Sequence, residues 1–242
     1  INQGKLQTHK VLSTPDAPEQ AILQGINELG LAKAVSAGEV AIIHGSTVAT
    51  NAALERKGVR TAFITNRGFR DMLSIARQTR PQLYRLESQP QQHPVPDELC
   101  LEINCRLSAN GQELQKPDTK SLQALVKQLE LIRPDAIAIN LLFSFIDHHQ
   151  EKLVARYLSN TLSWQPFICC SSNILPEYRE YERGIACWLN ASLSPLMRSY
   201  LLKLEAAIKP SSLSVMQSSG GTISANQAAD KAVNLLLSGP AG

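Results

Sequence analysis

Apolar residues in this chain fall into two kinds of stretch. Short aliphatic or β-branched runs predict strands: Val40-Ala41-Ile42-Ile43, Thr61-Ala62-Phe63-Ile64-Thr65, Ala136 to Phe145, and Phe167-Ile168-Cys169-Cys170. Longer stretches carry apolar residues three and four apart and predict helices. One runs from about Glu19 to Leu29, with Ala21, Ile22, Gly25, Ile26 and Leu29 on one face. Others run from Val48 to Lys57, closed by Gly58 as a C-terminal cap, and from Phe69 to Gln78 after the turn Asn66-Arg67-Gly68. Asp118 caps a helix over Thr119 to Leu131, and Asp147 caps one that extends through Leu158. A long helix is expected from about Glu180 to Ile208, interrupted near Pro195. Strands alternating with helices at this spacing define an α/β protein with a largely parallel sheet.

Three stretches depart from that alternation. Ile1 to Ser13 reads as a β segment with Leu6, Val11 and Leu12 as its apolar positions. Leu86 to Glu98 is rich in Pro and Gln and is the strongest internal boundary. Leu99 to Leu107 alternates as a strand and leads into Ser108-Ala109-Asn110-Gly111, a hairpin turn with the favoured Asn-Gly pair.

The chemistry begins where the first strand ends. Val40 to Ile43 breaks into His44-Gly45-Ser46-Thr47 and opens a helix. A helix start offers unpaired N–H groups and partial positive charge. Ser46 and Thr47 can cap it or bond a ligand, and Thr47 and Asn51 lie one turn apart beside His44. His44 either orients substrate, acts as a general base or holds a phosphate, or is a strand-end histidine hydrogen-bonded to backbone. Arg70, Arg77 and Arg80 form a cationic group that either meets a carboxylate or phosphate or stays solvated. Glu177, Glu180 and Glu182, with Tyr178, Tyr181 and Arg183, either ligate a cation or cap a helix. Leu213 to Ser219 reads as a strand running into Gly220-Gly221.

Bulk properties narrow the class. With 43% hydrophobic and 19% charged residues the chain is globular in composition, and 242 residues suffice for one large domain or two small ones. The net charge of +3 is spread without a Lys/Arg block, which gives no argument for nucleic acid. No apolar run reaches the length of a membrane helix, and no signal-peptide pattern is present. Five cysteines without framework spacing suit a reducing cytoplasm. Cys100 and Cys105, with His93 upstream, fall short of a metal-ligand set and read as buried thiols, as does the Cys169-Cys170 pair.

The ordered series His44-Gly45-Ser46-Thr47-Val48-Ala49-Thr50-Asn51, Glu55-Arg56-Lys57-Gly58, Gly68-Phe69-Arg70-Asp71, Arg77-Gln78 and Arg80-Pro81 with Tyr84 resembles the hydantoinase A / 5-oxoprolinase family. Lys10 to Pro15 and Pro176 to Arg183 extend the resemblance. It implies an actin-like ATPase fold, akin to sugar kinases and Hsp70, with an inserted α/β layer and β hairpin. In such proteins a long helix links the two halves. It implies ATP- and magnesium-dependent opening of a cyclic amide such as 5-oxoproline or a hydantoin. A hydantoinase B-type partner and an oligomeric assembly are also implied.

The implied site residues are His44, Thr47 and Asn51 for substrate or phosphate positioning, and Arg77, Gln78 and Arg80 for substrate. Gly220, Gly221, Ser238, Gly239 and Gly242 are implied for nucleotide. The expected division is residues 1–175, the N-terminal region with an insertion over about 86–117, and 176–242, the start of the core domain. Departures from the family pattern are Ser219 in the Gly turn and Asp147-His148-His149-Gln150-Glu151 where N-P-x-H-E is common. His148-His149 accordingly reads as a surface helix start and not a metal site. A first phosphate loop, D-x-G-G-T-F-T-D, is absent before Ile1, and Ser238-Gly239-Pro240-Ala241-Gly242 stops short of the full second loop S-G-P-A-x-G. The expectation is part of a longer enzyme that by itself neither binds ATP tightly nor turns over. Two alternatives stand beside it: a non-catalytic actin-like module that docks a partner, and a subunit of an ATP-dependent ketone carboxylase.

Overall fold

The computed structural model describes residues 6–14, 16–79 and 94–238. In chain order the helices and strands are α1 (Pro18–Glu28), α2 (Ala32–Ser36), β1 (Ala41–His44), α3 (Val48–Leu54), β2 (Thr61–Asn66), α4 (Met72–Ile75), β3 (Cys100–Ile103), β4 (Arg106–Leu107), β5 (Glu113–Gln115), α5 (Thr119–Ile132), β6 (Ala136–Asn140), α6 (His149–Thr161), β7 (Phe167–Cys170), α7 (Ser171–Ile174), α8 (Glu180–Ile208), β8 (Ser212–Met216), β9 (Thr222–Ser224) and α9 (Ala225–Asp230). They form two compact units, one from residues 1–57 with 193–242 and the other from residues 58–192.

The first unit holds a three-stranded sheet in the order β1-β8-β9. β1 and β8 are parallel, with His44 opposite Val215, and β8 and β9 form an antiparallel hairpin. Its core joins Val35, Ala49, Leu201, Leu204, Ile208, Val215 and Leu235, with Ile22, Leu23 and Ile26 of α1 packed against them.

The second unit holds a four-stranded parallel sheet in the order β3-β2-β6-β7. Every residue of the central strands β2 and β6 is buried, as expected of parallel strands covered on both faces. Helices α5 and α6 cover one face through Leu122, Leu125, Leu129, Val154 and Leu158. The other face packs Phe63, Ala138 and Cys169 against Leu73, Cys187 and Ala191. Asp118 Oδ1 accepts the Ser121 N–H at 2.6 Å and starts α5, in agreement with the sequence.

Several local expectations are corrected. Residues 6–14 form no strand, and Leu6 and Leu12 are exposed. The cap that closes α3 is Arg56, at φ 55°, and not Gly58. The Lys57 N–H reaches the Ala52 carbonyl and the Arg56 N–H reaches that of Ala53, the paired bonds of a Schellman ending. Gly58 serves packing instead: a methyl group there would lie 2.9 Å from Ser192 Cβ.

The helix expected over Phe69–Gln78 shrinks to the single turn α4. Glu102 Oε1 takes the Gly68 and Arg70 N–H groups, and Ala76 and Gln78 adopt φ of 50° and 51°. Leu99–Leu107 divides into β3, in the parallel sheet, and β4, which pairs with β5 around the Ser108–Gly111 turn. α8 continues through Pro195 without a break. Leu193, Ser194 and Met197 are buried around it, and that packing outweighs the ~3 kcal/mol an interior proline costs. Asp147 sits one residue before the helix cap at His148 and accepts the His149 N–H at 2.9 Å.

Two predictions follow from these contacts. Gly58→Ala should lower unfolding stability by about 1–3 kcal/mol through overpacking against Ser192, read by urea titration. His149 clamps the β4–β5 hairpin through Glu113 Oε1 (2.9 Å) and holds Asp147 Oδ2 (2.7 Å). The hydrogen bond from Glu113, and then that from Asp147, raise its pKa above the ordinary 6.5, while both carboxyl groups titrate below their usual range. A raised histidine pKa gives stability that is complete below 6.5 and lost as pH rises through the folded value. Amide protection over residues 106–115 should therefore fall as pH rises through that window, and His149→Gln should remove the pH dependence.

Candidate functional site

In the first unit β1 delivers His44 and Gly45 to a turn that opens α3. Ser46 is buried, and its Oγ accepts the Val48 N–H at 3.1 Å. Thr47 occupies the cap position but its side chain caps nothing, so Ser46 performs the task expected of either hydroxyl. Thr47 and Asn51 are both exposed, one turn apart, with the Asn51 N–H on the Thr47 carbonyl at 2.8 Å.

His44 is half-buried. Its Nε2 meets the Tyr200 hydroxyl at 2.6 Å, with the rings edge-on at 5.7 Å between centroids. Burial lowers the His44 pKa, and burial pushes the Tyr200 phenol up to about 12. The two therefore form a neutral phenol–imidazole pair at pH 7. The partner of this strand-end histidine is thus a side chain of α8.

The late motifs of the chain arrive at the same turn. Ser238 is buried and its Oγ donates to the Ser46 carbonyl at 3.1 Å. The Leu237 N–H donates to Thr50 Oγ1 at 2.9 Å. Because β1 and β8 are parallel, the turn after Met216 leaves the sheet at the end where the His44 turn leaves it. A methyl on Gly45 would lie 3.4 Å from Met216 Sδ. Gly220 and Gly221 adopt φ of 84° and 75°, and a methyl on either would meet nothing within 4 Å. That turn combines left-handed backbone with open space, the two conditions for a backbone to approach a phosphate. Gly239, Gly242 and Arg80 lie outside the described residues.

In the second unit the two described arginines of the expected cationic group have different partners. Arg77 Nε donates to Glu182 Oε1 at 2.7 Å, while Arg70 Nη2 donates to the Asp97 carbonyl at 2.5 Å. Gln78 ends the turn after α4, its N–H on the Ile75 carbonyl. Glu182 thus has an ion-pair partner, and Glu180 lies 3.7 Å from Arg183.

Sequence reasoning missed the buried polar cluster at the carboxyl ends of β6 and β7. Arg183 and Glu151 are both fully buried. Arg183 donates to Asn140 Oδ1 and Ser171 Oγ (both 3.1 Å), to the Leu141 carbonyl (3.0 Å) and to the Glu177 carbonyl (2.7 Å). Its charge also lies over the Phe145 ring at 5.4 Å. Glu151 accepts from the Leu141 N–H (2.9 Å), from the Ser171 hydroxyl (2.6 Å), and from the Ser172 N–H and hydroxyl (3.0 and 2.6 Å). Ser171 joins the two charged groups. The available signal was Glu151 holding the last place of the Asp147–Glu151 pentapeptide although its neighbours depart from the family pattern.

All five cysteines are free and buried. Burial raises the thiols of Cys100 and Cys105 to about 11 and about 12. No group of three or more His, Cys, Asp or Glu side chains that could hold a metal ion occurs among the described residues. No described helix is long and apolar enough to cross a membrane. A cleft of about 490 Å³ runs between β3 and α5, lined by Arg67, Arg70, Glu102, Leu125 and Leu131 among others, and none of these had been singled out as its lining.

Comparison with known proteins agrees with these motifs. Residues 1–162 match the family described as the hydantoinase/oxoprolinase N-terminal region, and residues 183–242 match the one described as hydantoinase/oxoprolinase. The chain belongs to the hydantoinase/oxoprolinase family. Caprolactamase subunit alpha of Pseudomonas jessenii is 28% identical over 251 residues, covering 99% of this chain and 36% of that one. The crystal structure of the ATP-dependent caprolactamase from that organism superposes with a TM-score of 0.87 at 27% identity, covering all of this chain and 36% of that one. The 5-oxoprolinase of Saccharomyces cerevisiae is 30% identical over 228 residues, 82% of this chain and 17% of its own length. The nucleotide-free structure of acetone carboxylase shares the fold, with a TM-score of 0.81 at 21% identity over 94% of this chain and 35% of that one. The chain spans about a third of the length of the first curated relatives it matches.

The buried cluster yields a stability prediction. Glu151→Leu strands the Arg183 charge away from water and should cost about 3–5 kcal/mol in urea unfolding. Adding Arg183→Met should recover part of that loss, giving a cycle that is far from additive.

Proposed function

We propose that the protein to which this chain contributes opens a cyclic amide at the expense of ATP, within an actin-like ATPase fold. The supporting observation is the meeting, at one end of the β1–β8 pair, of the His44–Thr47 turn, the Gly220–Gly221 turn and Ser238. Two relatives, named for caprolactam and 5-oxoproline, point to the same class of substrate. Both rings contain an amide whose carbon resists water until phosphorylation of its oxygen makes that carbon a better electrophile.

The proposed roles are these. Bound ATP supplies the phosphoryl group that activates the amide oxygen. Gly220 and Gly221 fit close approach of a phosphate because their backbone is open and left-handed. Ser238, Gly239 and Gly242 complete the nucleotide contacts. Thr47 and Asn51 present hydroxyl and carboxamide groups to substrate or phosphate from the exposed side of α3. His44, held neutral by burial and bonded to Tyr200, positions that turn. Arg77, with Gln78 and Arg80, is assigned to the substrate; Arg77 is paired with Glu182 in this structure. Magnesium enters with the phosphates it neutralises. A second subunit of the hydantoinase B type completes the enzyme, and the five free thiols fit a cytoplasmic location.

The test is ADP release with MgATP in the presence of 5-oxoproline, hydantoin or caprolactam, for the chain with its natural partner polypeptide. Ring-opened amino acid should appear in step with ADP for one of the three. Thr47→Ala and Asn51→Ala should each lower that rate about 10-fold or more, with the unfolding midpoint unchanged. ADP release that requires a ketone and bicarbonate instead would assign the chain to carboxylation. A complex that forms without consuming nucleotide under any of these conditions would leave a docking role.

A further inference from the structure

Arg67 follows β2, and Arg106 begins β4. With Asn104, Cys105 and Gln115 they line a cavity of about 280 Å³ inside the second unit. Arg106 and Gln115 are cross-strand partners in the hairpin. The Arg67 N–H bonds the Ile103 carbonyl at 3.0 Å, which fixes its backbone beside the segment that carries Asn104 to Arg106.

Three features of this cavity are unusual together. Two arginines line it, and no Asp or Glu is among its lining residues. The Arg106 guanidinium lies over the Phe69 ring at 5.2 Å, yet its Nη1 is buried with no hydrogen-bond partner. A buried charged donor without an acceptor is among the costlier arrangements in a folded protein, and a second positive charge nearby adds to the cost. The Cys105 thiol does not act as the counter-charge, because burial keeps it protonated. The remaining groups, two carboxamides, offer N–H donors of the kind an oxyanion accepts.

The location suits a ligand. β2 and β3 end at Asn66 and Ile103, next to Arg67 and Asn104, and open α/β sheets bind ligands beyond the carboxyl ends of their strands. Arg67 and Asn104 also line the 490 Å³ cleft, so the two spaces adjoin.

We propose that Arg67 and Arg106 form a binding site for a small oxyanion, a carboxylate or a phosphate. The planar fork of each guanidinium matches either anion, and the bound charge satisfies Arg106 Nη1 while cancelling the repulsion between the two cations. The cavity has room for a compact anion. None of the residues assigned to ring opening lines it, so this site stands or falls separately from that reading.

The experiment is thermal unfolding of the whole chain in rising inorganic phosphate and, separately, in rising acetate, at ionic strength held constant with chloride. A saturable rise of the midpoint is expected with one of them, and the anion that saturates at lower concentration identifies the ligand as phosphate-like or carboxylate-like. Arg67→Gln, at an exposed residue whose loss leaves the packing alone, and Arg106→Gln should each weaken the apparent affinity about 10-fold or more. Arg156→Gln, on the exposed side of α6, should leave it unchanged. No saturable rise with either anion, or a rise of undiminished affinity in both cavity variants, would overturn the proposal.

Discussion

Arg183 has no exposure to water, and the carboxyl ends of β6 and β7 are arranged around its five donors. A guanidinium in that position is tolerated only when its hydrogen bonds are made and an opposite charge is near. Asn140 and the Leu141 carbonyl come from the exit of β6, Ser171 from the exit of β7, and the Glu177 carbonyl from the approach to α8. Glu151, on α6, faces the same cluster through Ser171 and holds the Leu141 N–H. One cation therefore sets the paths of two loops and the start of the longest helix. Hydrophobic burial of β2 and β6 gives the sheet its stability; the polar cluster decides where the chain goes when it leaves.

The first unit handles its strand ends by different means. Apart from the His44–Tyr200 pair, the contacts there include single hydrogen bonds between short side chains and backbone: the Val48 N–H to Ser46, Ser238 to the Ser46 carbonyl and the Leu237 N–H to Thr50. No buried ion locks them among the described residues. The Gly220–Gly221 turn has open space in front of its backbone. A hydrogen-bonded, charge-paired cluster after β6 and β7 and an open, lightly held turn after β8 are what a scaffold and a ligand site respectively require.

Much of the architecture was legible as pattern. The aliphatic runs at Val40, Thr61, Ala136 and Phe167 became β1, β2, β6 and β7; for the central pair β2 and β6 the reason is burial on both faces, which calls for a nearly continuous apolar run. The stretch after Phe69 was not legible, because it depends on Glu102, more than thirty residues away, capturing two backbone N–H groups. The break in Leu99–Leu107 was hidden for a similar reason: one alternating pattern serves two different sheets. In the site, the residues could be named but their partners could not. Tyr200 lies 156 positions from His44, and nothing local to either residue announces the other. Arg183 read as part of a helix-capping or cation-ligating block and Glu151 as the end of a motif, and no local pattern joins them until the sheet ends bring both inside.

The contact between Gly58 and Ser192 bears on how such a chain is put together. The Val59 N–H bonds the Ser192 carbonyl at 2.9 Å, so the 135 residues of the second unit start and finish at one point. A segment whose ends touch is closed on itself. It can gain or lose loops, or acquire a new cavity, without moving the ends by which it is carried. Its history can therefore run at a pace of its own, with a single glycine at the seam as the condition for the closure.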